Sequence, residues 1–286
     1  THTQKTMIID GKAIASRLIG ELEGKLAAHP IDKFMGAVLV GENPASLNFL
    51  KQKEKAAKEL GIDFRLYKLP EDTTTYKLRE EVGRLSHVKN CGGFIVQLPL
   101  PKHINSQYVV NAVPKEKDVD LLGEAALGAF YSERSKIVPP AVGATVELLK
   151  ATSLENLREV SVVVMGAGML IGRPIGFYLQ NKVKTLAILD SKVKDPNPWL
   201  KDADLVISGV GKARLFSAAE LKPGAVVFDF GTSLENGKIA GDFDADSLKP
   251  DTSHLEPISY PPTPGGTGPI LVAKLYENFY LLNEQS

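Results

Sequence analysis

The sequence predicts an α/β protein of two domains, each built around a largely parallel sheet. Three observations carry this prediction. Short apolar runs alternate with amphipathic helical stretches, the rhythm occurs twice, and a mixed, proline-containing stretch separates the two series. In the first series the spacing predicts a helix near 11–28, a strand at "FMGAVLV" (34–40) and a helix near 43–60. A strand at "FRLYKL" (64–69), a helix near 75–86 and a strand at "GGFIVQL" (92–98) follow. The second series has strands at "VSVVVMG" (160–166), "KTLAIL" (184–189), "ADLVIS" (203–208) and "GAVVFDF" (224–230). The boundary is expected within 114–143, where Pro139-Pro140 precede a helical "ATVELLKATS". The last stretch, "PPTPGGTGPILVAKLYENFYLL", turns through prolines and glycines. It ends as an amphipathic helix expected to pack back on the first domain. No short-period repeat or low-complexity tract interrupts this pattern.

Composition narrows the function classes. A chain of 286 residues with 43% hydrophobic content has material for two cores. Thirty-four basic residues balance thirty-four acidic ones without a long run of either sign, so neither nucleic acid nor an anionic membrane is the expected partner, and a small molecule is. The single Cys91 cannot form an internal disulfide, and His2, His29, His87, His103 and His254 lack metal-ligand spacing. Metal-free chemistry in a reducing cytoplasm is the expectation. The start, "THTQKTMIIDGKAIASRL", shows no cationic-then-apolar signal pattern. No apolar run approaches the roughly eighteen residues of a membrane span.

The stretch "VVVMGAGMLIGRP" (162–174) drives a strand into glycines and then into a helix. A dinucleotide fold wants one glycine where the strand turns, a second where backbone approaches pyrophosphate and a third where the helix packs on the sheet. Gly166 and Gly168 meet the first two demands. Gly172 supplies the third one residue late, giving G-x-G-x-x-x-G, which by itself fits a nucleotide site and a plain strand-to-helix turn equally. Asp190 ends the next strand, where an acidic residue accepts hydrogen bonds from the adenosine ribose and repels a 2′-phosphate. It is equally placed to cap a turn. Arg173, Ser191 and Lys192 could bind a phosphate instead. The balance favours NAD over NADP.

Six motifs occur in one order. They are "VGENPASLNFLKQKEKAAKELGI" (40–62), "GGFIVQLPLP" (92–101), "PKEKDVD" (114–120), "GAGMLIGRP" (166–174), "LKPGAVVFDFG" (221–231) and "PGGTGP" (264–269). Together they resemble the methylenetetrahydrofolate dehydrogenase/cyclohydrolase family, over nearly the whole chain. The resemblance implies oxidation of 5,10-methylenetetrahydrofolate with a nicotinamide cofactor and hydrolysis of the methenyl product to 10-formyltetrahydrofolate, both in a cleft between domains. It implies a multifunctional cytoplasmic homodimer serving one-carbon metabolism and purine biosynthesis. The folate-binding catalytic domain is expected at 1–143 with 266–286, and the Rossmann-type domain at 144–265.

Residue by residue, the resemblance makes Lys53 the proton-handling amine and Gln97 the side chain that holds it. Ser46, Phe49 and Lys53 share one helical stripe, so ring and amine can face one ligand. Phe49 stands where the family has tyrosine and is assigned to catalysis and substrate packing without the hydroxyl. Asp120 is expected on the pterin, where a carboxylate suits two donors, and Pro264, Gly265 and Gly266 are expected to line the substrate. The cofactor is placed on Gly166, Gly168, Met169, Gly172, Arg173, Asp190, Ser191 and Thr232. Other departures are "PPAVG" (139–143), "DFGTS" (229–233), "YPPTPGG" before the loop, and Leu121 where the family has glycine, which weakens a tight turn there. They leave open a divergent paralogue with one activity lost, a non-catalytic folate or nucleotide binder, or another NAD-linked dehydrogenase on a shared architecture. Without the other motifs, Phe49 reads as core, Lys53 as a surface lysine, Gln97 as a loop residue and Asp120 as a cap.

Overall fold

A computed structural model describes residues 7–154, 156–235, 237–248 and 258–284, so His2 and His254 lie outside the described residues. In chain order the elements begin with α1 (Gly11–Ala28), β1 (Phe34–Val40), α2 (Pro44–Glu59), β2 (Phe64–Leu69), α3 (Thr75–Ser86) and β3 (Cys91–Val96). Helices α4 (Ser106–Val110), α5 (Glu124–Tyr131) and α6 (Pro140–Lys150) follow. Then come β4 (Ser161–Met165), α7 (Gly172–Leu179), β5 (Thr185–Leu189), α8 (Asn197–Asp202) and β6 (Leu205–Ser208). The chain continues through β7 (Phe216–Ser217), β8 (Val226–Asp229), β9 (Ser233–Glu235), β10 (Lys238–Ala240) and β11 (Phe243–Asp244) to α9 (Thr267–Asn283). The expected strands are present: β1 and β2 have the expected ends, β3 begins one residue earlier and stops at Val96, and β4, β5, β6 and β8 are shorter than expected by one to three residues.

The described chain divides into two compact units: residues 16–140 with the chain from Val272 onward, and residues up to Ala15 with Ala141–Leu271. These differ from the spans read off the sequence at the first fifteen residues, at 141–143 and at 266–271. Ile9 donates to the Tyr260 carbonyl at 2.9 Å, which ties the chain start to the second unit.

In the first unit β1 pairs parallel with β2 on one side and β3 on the other. Every residue of β1 and β3 is buried, as strands covered on both faces require, and both read as nearly continuous apolar runs. Leu78 and Val82 of α3 and Val109 and Val110 of α4 pack with Phe34, Val38 and Phe94 in one core. Helix α2 starts on Asn43, whose side chain accepts from the Ser46 N–H at 3.1 Å, with Pro44 at the first turn.

No residue of α9 is fully exposed: Ile270, Ala273, Tyr276 and Phe279 are buried, while Lys274 and Glu277 are half-buried. Within the first unit its polar groups satisfy backbone carbonyls. Asn278 donates to the carbonyls of Val119 and Val138, both at 2.8 Å, and Asn283 donates to that of Gly92 at 2.8 Å. A Cβ on Gly93 would press on Val119, Met35 and the Phe279 ring at 2.8–3.0 Å, so a glycine is needed for α9 to lie this close.

The second unit holds a four-stranded parallel sheet in the order β5-β4-β6-β8. Its core gathers Val163, Met165, Val206, Val227, Phe216 and Phe243. The short pairs β9–β10 and β7–β11 lie outside this sheet. Because Asn278 is only 3% exposed, Asn278→Ala should leave two buried carbonyls unpaired and lower stability by about 2 kcal/mol. Denaturant titration of variant and wild type checks this, and a loss below about 0.5 kcal/mol would show that the two carbonyls find other donors.

Candidate active site

In the first unit, α2 carries Ser46, Phe49 and Lys53 along one stripe. Ser46 is buried, while Phe49 and Lys53 are half-buried. The Lys53 Nζ donates to Gln97 Oε1 at 3.1 Å. Gln97 is fixed because its N–H extends the β-ladder to the Val38 carbonyl at 3.0 Å and its Nε2 donates to the Leu98 carbonyl at 2.7 Å. A polar side chain just past the end of a parallel strand is thus aimed at the amine. Tyr276 of α9 donates its hydroxyl to the Lys53 carbonyl at 2.7 Å, a contact that sequence spacing gave no means of finding. The Ser46 hydroxyl is buried with no partner among the described residues, a position that a ligand or water can satisfy.

The Asp120 carboxylate lies close enough to the same amine for the two charges to interact. The "KDVD" segment is stitched to β3 by a bridge between Phe94 and Asp118, and the Lys117 ammonium donates to the carbonyls of Ser86 and Val88. Asp118 is buried, and its Oδ2 accepts from the N–H groups of Leu122 and Gly123 at 3.0 and 2.7 Å. Leu121 has φ 52°, the left-handed region a glycine takes freely and a leucine at a cost of about 1 kcal/mol. The expectation that Leu121 weakens the tight turn is therefore corrected. The turn forms, with the Leu121 side chain buried and Asp118 bonded across it.

Burial depresses the Lys53 pKa, and the Asp120 carboxylate opposes that shift. Burial raises the Asp120 pKa, and Lys53 opposes it in turn. Each charge favours the ionised form of the other, while burial favours the neutral pair. Desolvation pushes Asp118 up to about 7 in spite of its backbone donors.

In the second unit the glycine loop follows β4, and the Gly166 N–H donates to the Leu189 carbonyl at 2.8 Å. Gly166 has φ 95°, open to glycine alone at no cost. A Cβ on Gly172 would overlap the Gly166 carbonyl oxygen, so this late glycine does supply the close approach of helix to strand turn. Nothing lies within 4 Å of a Cβ on Gly168, which leaves backbone open to a ligand. Met169 is half-buried in the loop, and exposed Arg173 folds back to donate Nε to the Ala167 carbonyl at 2.9 Å.

Asp190 and Ser191 are exposed just past β5, the strand beside β4, and Asp190 Oδ1 accepts from the Lys192 N–H at 2.9 Å. One carboxylate oxygen caps a turn, and the other has no partner among the described residues. Thr232 is exposed beyond β8. Pro264, Gly265 and Gly266 belong to this second unit, where Gly266 packs under Pro261 and Pro262 and the Lys12 stem lies over Gly265. The structure therefore gathers Lys53, Gln97, Asp120 and Phe49 in the first unit and the predicted cofactor residues in the second. These glycines, with their open backbone at a strand end, fit a dinucleotide. Asp229 and Asp242, both buried, were missed because single carboxylates in "VFDFGTS" and "IAGDFD" give no spacing signal.

Asp120→Asn should lower the Lys53 pKa further, since Asp120 is the charge holding it up. The midpoint of amine labelling at Lys53 against pH should move down, and an unmoved midpoint would show that the two groups do not share a field.

Two family models match the chain: the catalytic domain of tetrahydrofolate dehydrogenase/cyclohydrolase over residues 9–120, and the NAD(P)-binding domain of the same enzymes over 139–286. The bifunctional protein FolD of Bacillus licheniformis is 35% identical over 275 residues, covering 95% of each chain. The structure of bifunctional FolD from Campylobacter jejuni superposes with a TM-score of 0.85 at 33% identity, over 96% of each chain. The Trypanosoma brucei enzyme, solved with NADP and an inhibitor, gives 0.88 at 27% identity, over 98% of this chain and 97% of that one. Geometry, motif order and full-length likeness agree, and the chain belongs to the tetrahydrofolate dehydrogenase/cyclohydrolase family.

Proposed function

We propose that this chain oxidises 5,10-methylenetetrahydrofolate to the methenyl form with a nicotinamide cofactor and then hydrolyses that form to 10-formyltetrahydrofolate. The observation that carries the reading is the Lys53 amine, depressed by burial and held on Gln97 at 3.1 Å, in a chain of this family. The cofactor, when bound, accepts the hydride that leaves the one-carbon bridge. The protein's own contribution to that step is to bind and orient. Asp120 accepts from the donors of the pterin edge, and the Phe49 ring packs against its face.

Hydrolysis places the chemistry on Lys53. Water attacks the amidinium carbon as its proton passes to the neutral amine, forming the new C–O bond. Lys53 returns that proton to the ring nitrogen as the C–N bond breaks, and the hydroxyl proton is released as the formyl C=O forms. Gln97 Oε1 accepts from the amine before and after transfer, so its aim does not change. Phe49 has no hydroxyl to join this relay.

NAD is the cofactor we favour, because exposed Asp190 stands just past β5, the strand beside β4, where a 2′-phosphate would meet negative charge. The NADP held by the Trypanosoma brucei relative makes the point worth testing. The resemblance supports a cytoplasmic homodimer that supplies one-carbon units to purine synthesis.

Lys53→Met keeps an apolar stem beside Phe49 and removes the proton carrier. Methenyl hydrolysis should fall at least about a hundredfold, while nicotinamide reduction falls less than about tenfold. Following methenyl decay and absorbance at 340 nm separately checks both rates, and equal residual hydrolysis in variant and wild type would remove the lysine from the mechanism. Asp190→Ser should lower the NAD/NADP ratio of kcat/KM by about tenfold, and an unchanged ratio would show that this carboxylate does not read the ribose.

A further inference from the structure

In the second unit, strand order β5-β4-β6-β8 reverses direction beside β4, since the chain moves from β4 out to β5 and returns to the other side at β6. In such sheets the ligand crevice opens at the carboxyl ends of the two strands flanking the reversal. Those ends are the glycine loop after Met165 and the segment Gly209–Lys212 after Ser208. They touch: a Cβ on Gly166 would lie 3.2 Å from the Gly209 carbonyl oxygen and 3.3 Å from the Val210 side chain. Val210, though apolar, is 45% exposed there, and Gly211 has φ 76°.

What holds this second loop open is a carboxylate far along the chain. Asp242 is fully buried. Its Oδ2 accepts from Ser208 Oγ at 2.5 Å and the Val210 N–H at 2.8 Å, and its Oδ1 accepts from the Lys212 N–H at 2.8 Å. The backbone around it is pinned by Arg214 N–H to the Gly241 carbonyl at 2.9 Å and Phe216 N–H to the Asp242 carbonyl at 3.2 Å. Asp229, at the end of β8, mirrors it by accepting from the N–H groups of Gly231 and Phe243 at 2.8 and 2.9 Å. The two loops interlock, because a Cβ on Gly231 would overlap the Asp242 carboxylate and one on Gly241 would overlap that of Asp229.

We infer that Asp242 is a positioning residue for the nicotinamide cofactor, fixing the Gly209–Lys212 backbone as one wall of the switch-point crevice while touching no ligand itself. This rests on the functional reading above. The loop has no helix or strand of its own to set its path, so three donors converging on one carboxylate decide it. A carboxylate is required because all three partners donate, and an amide in its place would turn a donor toward at least one of them.

The test separates cofactor binding from the rest of the protein. Hydrolysis of methenyltetrahydrofolate transfers no hydride, so it reports on the first unit and on general integrity. Asp242→Asn should raise the Kd for NAD, measured by calorimetry, and its KM in the dehydrogenase assay by about tenfold or more. Its hydrolytic kcat/KM should stay within about twofold of wild type. Ser208→Ala, which removes one donor of three, should raise the same Kd about threefold and serves if the first variant does not fold. A cofactor Kd unchanged in both variants, or hydrolysis falling in parallel with cofactor affinity, would overturn the assignment of Asp242. A wild-type protein that neither binds NAD or NADP nor reduces them with methylenetetrahydrofolate would instead overturn the functional reading.

Discussion

Parallel pairing of strands is the interaction on which the rest of the structure depends. When β2, β1 and β3 run the same way, and β5, β4, β6 and β8 do likewise, all the carboxyl ends of each sheet come out on one side. Backbone that leaves a ladder at its carboxyl end has no strand left to pair with. That is where Gln97, Gly166, Asp190, Gly209 and Asp229 stand, and their donors and acceptors are bonded to one another or left for a ligand. Chemistry in both units is a consequence of where hydrogen-bond ladders stop.

Buried charge is handled in two ways. In the first, the Lys53 amine makes one hydrogen bond to the Gln97 amide and shares a field with the Asp120 carboxylate. In the second, Asp229 and Asp242 are surrounded by backbone donors, five hydrogen bonds between them counting the Ser208 hydroxyl. Desolvation and the neighbouring Asp242 carboxylate push Asp229 up to about 7 against those donors. Donors spent on backbone give rigidity, whereas a single amide contact leaves the amine's other hydrogens available to a reaction.

Legibility in the sequence follows the range of the interaction that fixes each feature. The strands were readable because β1, β3, β4 and β8 are continuous apolar runs ended by glycine or a polar residue, and the helical stripe Ser46, Phe49, Lys53 follows from spacing within one element. Gly172 was readable as departing from the usual spacing, and the contact with Gly166 shows that the departure keeps the function of a third glycine. Asp242 could not be read, since its partners Ser208, Val210 and Lys212 lie some thirty residues away and nothing local marks them. Leu121 misled because a side chain's conformational preference is weaker than the burial and hydrogen bonds that hold its turn. In α9 the packing helix was readable, but the service of Tyr276, Asn278 and Asn283 to distant backbone carbonyls was not.

Those carbonyls bear on how the protein is made. Lys53, Gly92, Val119 and Val138 belong to the first half of the chain, yet the side chains that satisfy them arrive with α9, near its end. A ribosome releases residues 16–140 long before Tyr276 exists, so the first unit waits with its sheet formed and a helix-shaped gap over Gly92 and Gly93. The second unit has its glycine loop, its sheet and both interlocking carboxylates by Asp244, and Ile258 and Tyr260 then close its core. Residues 16–140 are therefore completed only when α9 arrives, and the Lys53 carbonyl is satisfied by a side chain of that helix.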